Sequence, residues 1–192
     1  MKRTVLCLLV VFVAATIPAS ASDTGFYLGA GIGKPSIDVL DFYPTLGDYV
    51  EDDGLSYKAY GGYRIFKFLA FEGGFTNLGN NQYLERNVQG YREKVDISIK
   101  GFNAFVVGIL PVSNVVDIYG KLGILAWDTD ITVTLREEVN FAESSSGTDT
   151  AYGIGAGFWV GPNVTLRGEG EWFKIGDYGT VGFYSVNVTY TF

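Results

Sequence analysis

From Tyr184 to Phe192 the chain alternates without a break. Tyr184, Val186, Val188, Tyr190 and Phe192 share one phase; Ser185, Asn187, Thr189 and Thr191 share the other. Successive side chains of a strand point to opposite faces, so this stretch predicts a strand that is apolar on one side and polar on the other. The same period of two returns along the chain. Phe26, Leu28, Ala30 and Ile32 oppose Tyr27, Gly29, Gly31 and Gly33. Tyr57, Ala59, Gly61, Tyr63 and Ile65 oppose Ser56, Lys58, Tyr60, Gly62 and Arg64. Four further stretches follow the rule: Leu69–Thr76, Ile118–Trp127, Tyr152–Phe158 and Val164–Trp172. An eighth, Val95–Leu110, is apolar in both phases beyond Gly101, so its register stays open, with Lys100 expected on the polar side. No long helical period appears after Thr24.

Eight segments joined in turn predict an all-β fold: an eight-stranded antiparallel up-and-down transmembrane β-barrel. The connections support this, because short ones (Ile65–Lys67, Pro111–Asn114, Gly161–Asn163) alternate with long ones (Gly33–Gly54, Asn77–Lys94, Asp128–Thr150, Lys174–Thr180). Short turns at one end and long loops at the other are the plan of bacterial membrane barrels. Alternation alone leaves the lumen unassigned, since a soluble lipocalin-like barrel would turn its large apolar side chains inward. Here the polar phase is mostly Gly, Ser, Thr and Asn, while Tyr, Trp and Phe of the apolar phase fall near strand ends, where interfacial girdles belong. The apolar phase is therefore expected outside. That choice sends Lys58, Arg64, Glu72, Lys121, Arg167, Glu169 and Glu171 into a tube just wide enough for side chains to fill. Buried charges must pair, so a mutually neutralising plug is expected, with Glu72, Glu169 and Glu171 against Lys58, Lys121 and Arg167; a gate or selectivity element is the sharper alternative.

The N-terminus reads as an address. Lys2 and Arg3 precede an apolar run from Thr4 to Ile17, and Ala19 and Ala21 give the small-x-small pattern of a cleavage site after Ala21. The run is too short for a membrane helix of about 20 residues. The expected organisation is a signal peptide over 1–21, removed on export, and an outer-membrane β-barrel domain over 22–192. Losing Lys2 and Arg3 takes the net charge from −7 to −9, which argues against a nucleic-acid partner. The chain has no histidine, and its one cysteine, Cys7, lies in the leader. Imidazole chemistry, thiolate catalysis and cysteine metal sites are thereby excluded from the exported part.

The stretches Phe26–Gly33, Tyr60–Arg64, Phe71–Phe75, Asp117–Gly123, Tyr152–Gly157 and the closing strand to Phe192 together resemble the OmpA-like outer-membrane β-barrel family, the small one-domain porin-like group. The resemblance spans the chain after the leader. It implies a salt-bridge network across the lumen, with Glu72, Lys121, Arg167 and Glu169 at the matching positions. It also implies a closing strand, marked by Tyr184, Val188, Tyr190 and Phe192, that the barrel-assembly machinery reads. The implied surroundings are outer-membrane lipid, lipopolysaccharide included, in the cell outer membrane of a Gram-negative bacterium. The family's best-known member adds a peptidoglycan-binding domain after the barrel; with this sequence stopping at Phe192, wall anchoring by that route is not among the expectations.

Other motifs dissolve on inspection. Gly29–Lys34 looks like a phosphate loop, but Pro35 stands where Ser or Thr is needed. The acids Asp48, Glu51, Asp52 and Asp53 read as a solvated loop rather than a cation site, and two Asn-x-Thr sequons fall inside strands. The expectation is a non-enzymatic structural barrel with a side-chain-filled polar lumen and surface-exposed loops. It has no catalytic, cofactor or metal residues and no identified small-molecule substrate. Its rivals are a narrow porin-like channel for ions or small solutes and an adhesin acting through its loops.

Overall fold

The computed structural model describes residues 24–37, 56–88, 91–135, 138–176 and 179–192. The expected leader, with Ala19 and Ala21, and the acids Asp48, Glu51, Asp52 and Asp53 lie outside the described residues. Eight strands follow in order: β1 (Gly25–Ile37), β2 (Ser56–Phe66), β3 (Leu69–Val88), β4 (Tyr91–Pro111), β5 (Val116–Leu135), β6 (Glu138–Trp159), β7 (Val164–Lys174) and β8 (Thr180–Thr191). Each pairs antiparallel with its neighbour in sequence, and β8 pairs back onto β1 to close the barrel. Closure leaves no free sheet edge along the seam, as a spanning sheet requires, because lipid offers no hydrogen bonds to an open edge.

Three short connections, at residues 67–68, 112–115 and 160–163, lie at one end of the barrel. At the other end the strands are unequal: β3 to β6 run for 20, 21, 20 and 22 residues, against 13, 11, 11 and 12 for β1, β2, β7 and β8. The wall is therefore much taller on one side. This corrects two expected loops, since most of Asn77–Lys94 and Asp128–Thr150 is strand, with β3 and β4 paired as far as Val88 and Tyr91 and β5 and β6 as far as Leu135 and Glu138. Hydrogen-bonded pairing does not require an apolar face. Once strands rise past the apolar band their outward positions are released from that constraint, so the alternation fades while the ladder continues.

The outer wall is apolar. Phe102, Leu122, Ile154 and Val186 are each 64–69% exposed, an arrangement that makes sense only against lipid. Aromatic side chains gather in two bands. Towards the short-turn end Phe26 stacks on Phe192 at 5.7 Å and Tyr190 meets Phe192 at 5.1 Å. Towards the other end Phe75 touches Tyr57 and Phe102, and Trp172 touches Tyr152 and Tyr184. Such girdles mark the two interfaces of a spanning barrel.

The register of β4, which its sequence left open, is set by β5: Gly101 pairs with Trp127 and Phe105 with Gly123. Phe105 and Val107 point inward and are buried, while Phe102, Val106 and Leu110 point outward. Lys100 therefore takes the outer phase, against expectation. Its side chain is half-exposed and its Nζ lies 3.7 Å from Asp130. At that height the outer face is already beyond the aromatic band, so a charge there meets water.

Glycine makes the narrow interior possible. Tyr60, Tyr27 and Tyr119 each lie over the glycine paired with them on the next strand, Gly29, Gly62 and Gly155. A Cβ at those glycines would stand 2.3–2.5 Å from the ring. Large side chains on one strand thus fill the space vacated on its neighbour, the large-and-small alternation that small barrels use.

Candidate functional site: a charge cluster across the lumen

The inward phases of four strands bring six charges together: Lys58 from β2, Glu72 from β3, Lys121 from β5, and Arg167, Glu169 and Glu171 from β7. Lys121 Nζ lies 2.6 Å from Glu72, 2.9 Å from Glu169 and 3.3 Å from Glu171. Arg167 reaches Glu72 through Nη1 and Glu169 through Nε, both at 2.8 Å. Lys58 bridges Glu169 and Glu171, the latter at 2.7 Å. Three cations face three carboxylates, and every one of these side chains is buried.

Tyrosines complete the shell. Tyr27 donates its hydroxyl hydrogen to Glu72 at 2.8 Å. Tyr119 donates to Glu169 at 2.7 Å and accepts from Arg167 Nε at 2.9 Å. The Arg167 guanidinium also lies 4.3 Å from the Tyr119 ring centroid, in cation–π range. Tyr60 pairs its hydroxyl with Thr189 at 2.7 Å. Buried ions are tolerable only when such hydrogen bonds satisfy the lone pairs and protons that ion pairing leaves over.

Arg64 does not join the six. It sits near the short-turn end, 3.2 Å from Asp117, and its guanidinium donates to the Lys67 carbonyl in the β2–β3 turn. Trp159 donates its indole N–H to the same Asp117 carboxylate at 3.1 Å. Asp117 is a lumen charge that sequence reasoning passed over. Its signal was available, because it shares the phase of Tyr119 and Lys121, but it stands at the very start of β5, outside the alternating stretch. With it, four cations meet four carboxylates. A small cavity lies between this pair and the cluster, lined in part by the charged groups of Arg64, Glu72, Asp117 and Arg167 and in part by Val107, Ile109 and Trp159.

The lumen is not polar throughout, which corrects the expected interior. Towards the long-strand end most inward positions are apolar: Leu78, Ile99, Leu125, Trp127, Ala151, Phe173, Val181 and Phe183 are all at most 6% exposed, and Ile175 beyond β7 joins them. The hydroxyls of Ser56, Thr76 and Thr129 are the buried polar groups at the same end among the described residues. Leu78 keeps the inward phase of Glu72 and Thr76, and β3 gains one residue against β4 around it: Asn77 accepts the Gly79 N–H at 2.8 Å and Gly79 takes φ 84°, a left-handed conformation that suits glycine. In the sequence these apolar residues fall in the phase of Lys121, Glu171 and Ser185, where only their neighbours' polarity suggested a wet interior. The residues expected to mark the closing strand lie at the seam: Tyr184 and Val188 face outward on β8, followed by Tyr190, and the Phe192 N–H donates to the Phe26 carbonyl at 2.9 Å.

A family model described as the OmpA-like transmembrane domain matches residues 21–191. Among curated relatives, Outer membrane protein A of Shigella flexneri is 26% identical and that of Yersinia pseudotuberculosis 29%, each alignment covering 100% of this chain and 56% of the relative. The chain thus spans just over half the length of these relatives. Among solved structures, Neisserial surface protein A superposes with a TM-score of 0.59 at 20% identity, over 92% of this chain and 100% of that one. The attachment invasion locus protein of Yersinia pestis, solved with the heparin analogue sucrose octasulfate, gives 0.58 at 18% identity, over 89% and 100%.

Proposed function

The chain belongs to the OmpA-like transmembrane domain family, and on that premise we propose that this outer-membrane β-barrel is a sealed, non-enzymatic anchor that holds its long strands at the cell surface. The observation that carries the reading is the lumen itself. Six buried charges neutralise one another across four strands, and an apolar layer fills the barrel beyond them. Export with cleavage after Ala21, reading of Tyr184, Val188, Tyr190 and Phe192 by the assembly machinery, and packing of the outer wall against lipid and lipopolysaccharide belong to the same reading. The tall β3–β6 side would then face outward and the three short turns the periplasm. Purified, refolded protein in a planar bilayer tests it: no steady conductance is expected, and regular single-channel steps would overturn it in favour of a pore.

The unequal strands favour a second reading, in which the projecting part of β3 to β6 meets a ligand outside the cell. The net negative charge, −7 with the leader and −9 without Lys2 and Arg3, disfavours a polyanion such as the heparin analogue held by the Yersinia pestis protein, and favours a basic or neutral partner.

A further inference from the structure

We infer that the permeability barrier of this barrel is the apolar layer towards the long-strand end and not the charge cluster beneath it; this rests on the sealed-barrel reading and says where the seal lies. The order along the strands is consistent. On β5, Lys121 is followed towards that end by Leu125 and Trp127; on β7, Glu171 by Phe173; on β3, Glu72 by Leu78; and on β8, Asn187 and Ser185 give way to Phe183 and Val181. Phe173 and Phe183 are fully buried, and Leu78, Leu125 and Ile175 are 1–2% exposed. The Phe183 ring crosses to β1, where a Cβ on Gly33 would stand 2.9 Å from it.

The two layers treat water differently. A water inside a protein needs two to four polar partners. The cavity on the short-turn side offers them in Arg64, Glu72, Asp117 and Arg167, and it reaches the underside of the cluster. The cluster itself can re-pair, because Lys121 already lies within 3.3 Å of three carboxylates. Leu78, Leu125, Phe173, Ile175 and Phe183 have no side-chain polar atoms, and the Trp127 indole N–H is taken by Asp149 at 2.9 Å. Hydrophobic constrictions of this kind exclude ions by staying dry. Hydrogen bonds from Gly176 and Ile175, just after β7, brace the layer. Asp149 also accepts the Gly176 N–H at 2.7 Å, and Ile175 donates its N–H to the Gly179 carbonyl at 2.9 Å, which keeps the Ile175 side chain in the layer.

Two measurements on the full refolded chain decide this. Stopped-flow shrinkage of wild-type proteoliposomes reads water passage: a dry layer gives the permeability of protein-free vesicles, whereas a barrel closed by salt bridges alone gives a severalfold higher value and overturns the inference even if the protein passes no ions. In planar bilayers, Leu125→Ser combined with Phe183→Ser should open steady ion conductance, and Glu72→Gln combined with Lys121→Gln should not. Conductance in the charge variant would place the barrier in the cluster. Conductance in the wild type would instead defeat the sealed-barrel reading itself. If the serine variant does not fold, as judged by heat-modifiable electrophoretic mobility, the wild-type water measurement still decides.

Discussion

Replacing Arg167 by Met removes one charge and keeps most of the side-chain bulk. Arg167 is 7% exposed and makes two ionic contacts at 2.8 Å. Each such contact is worth about 6 kcal/mol of Coulomb attraction at an effective dielectric of about 20. Desolvation, several kcal/mol per ion, cancels much of that while the pair is intact, but it remains for the partners when the pair is broken. After the substitution three buried carboxylates share two ammonium groups. Lys121 still lies 2.6 Å from Glu72 and 2.9 Å from Glu169, so the partners are weakened rather than abandoned. The expected loss is about 3–5 kcal/mol of unfolding free energy. Lys100→Met, which breaks a half-exposed pair at 3.7 Å, should cost at most about 1 kcal/mol. Urea titration of protein refolded into lipid vesicles, followed by tryptophan fluorescence, measures both. Adding Glu72→Gln to Arg167→Met should recover part of the loss, because the second change removes a carboxylate that the first left short of cations. Equal losses for Arg167→Met and Lys100→Met, or no recovery in the double variant, would show that the lumen behaves as solvent and that the cluster contributes nothing to closure.

Three further outcomes follow from the geometry. Gly123→Ala should destabilise the barrel by about 1–3 kcal/mol in the same titration, since its Cβ would stand 1.9 Å from the Ala104 carbonyl oxygen, while Gly168→Ala, with nothing within 4 Å, should be nearly neutral. Val186→Arg places a charge in the middle of the lipid-facing wall and should cost about 2–4 kcal/mol, against little for Val112→Arg in a short connection; equal costs would argue against a lipid-facing wall. Asp149, beyond the upper aromatic band, has its carboxyl held below the usual range, first by the Trp127 indole N–H and then by the Gly176 N–H. A depressed folded-state pKa stabilises the fold above the unfolded value of about 3.9 and ceases to do so as pH falls through the folded value. The Trp127 environment should therefore change on acidification below about pH 4, and Asp149→Asn should remove that transition from a fluorescence titration.

The alternation was legible wherever lipid imposes it. On β1, β2, β7 and β8 nearly the whole strand crosses the apolar band, so the period of two runs almost end to end and the phase of Lys58, Arg167, Glu169 and Glu171 could be read directly. On β3 to β6 only part of each strand crosses, and the rest follows the ladder with no pattern in its polarity, so it reads as loop. The register of β4 was hidden for a different reason. Phe102, Phe105, Val106 and Val107 are all apolar, and what separates them is cross-strand space: Phe105 fits inward because Gly123 stands opposite it on β5. A single strand does not carry that information. The dry layer was hidden in the same way, since Leu125, Phe173 and Phe183 share a phase with charges and hydroxyls and reveal themselves only when strands distant in sequence are set side by side.

That distance in sequence also bears on how the barrel closes. The strand pairs β1–β2 through β7–β8 are hairpins between neighbours, and any of them can form before the rest of the sheet is complete. The ion pairs cannot. Lys58 and Glu171 are 113 residues apart, Arg167 and Glu72 are 95 apart, and Lys121 lies on a third strand between them. Contacts of such separation bear the loop-closure entropy of everything enclosed. In an open or partly curled sheet these side chains would stand apart on a broad polar face, each hydrated. They meet only when β8 docks on β1 from Tyr27 to Ile37 and the inner face becomes narrow. The cluster therefore discriminates the closed barrel from its open precursors, favouring the first without stabilising the second. The apolar layer acts in the same direction, because Phe183 on β8 covers Gly33 on β1 and is fully buried only across the finished seam.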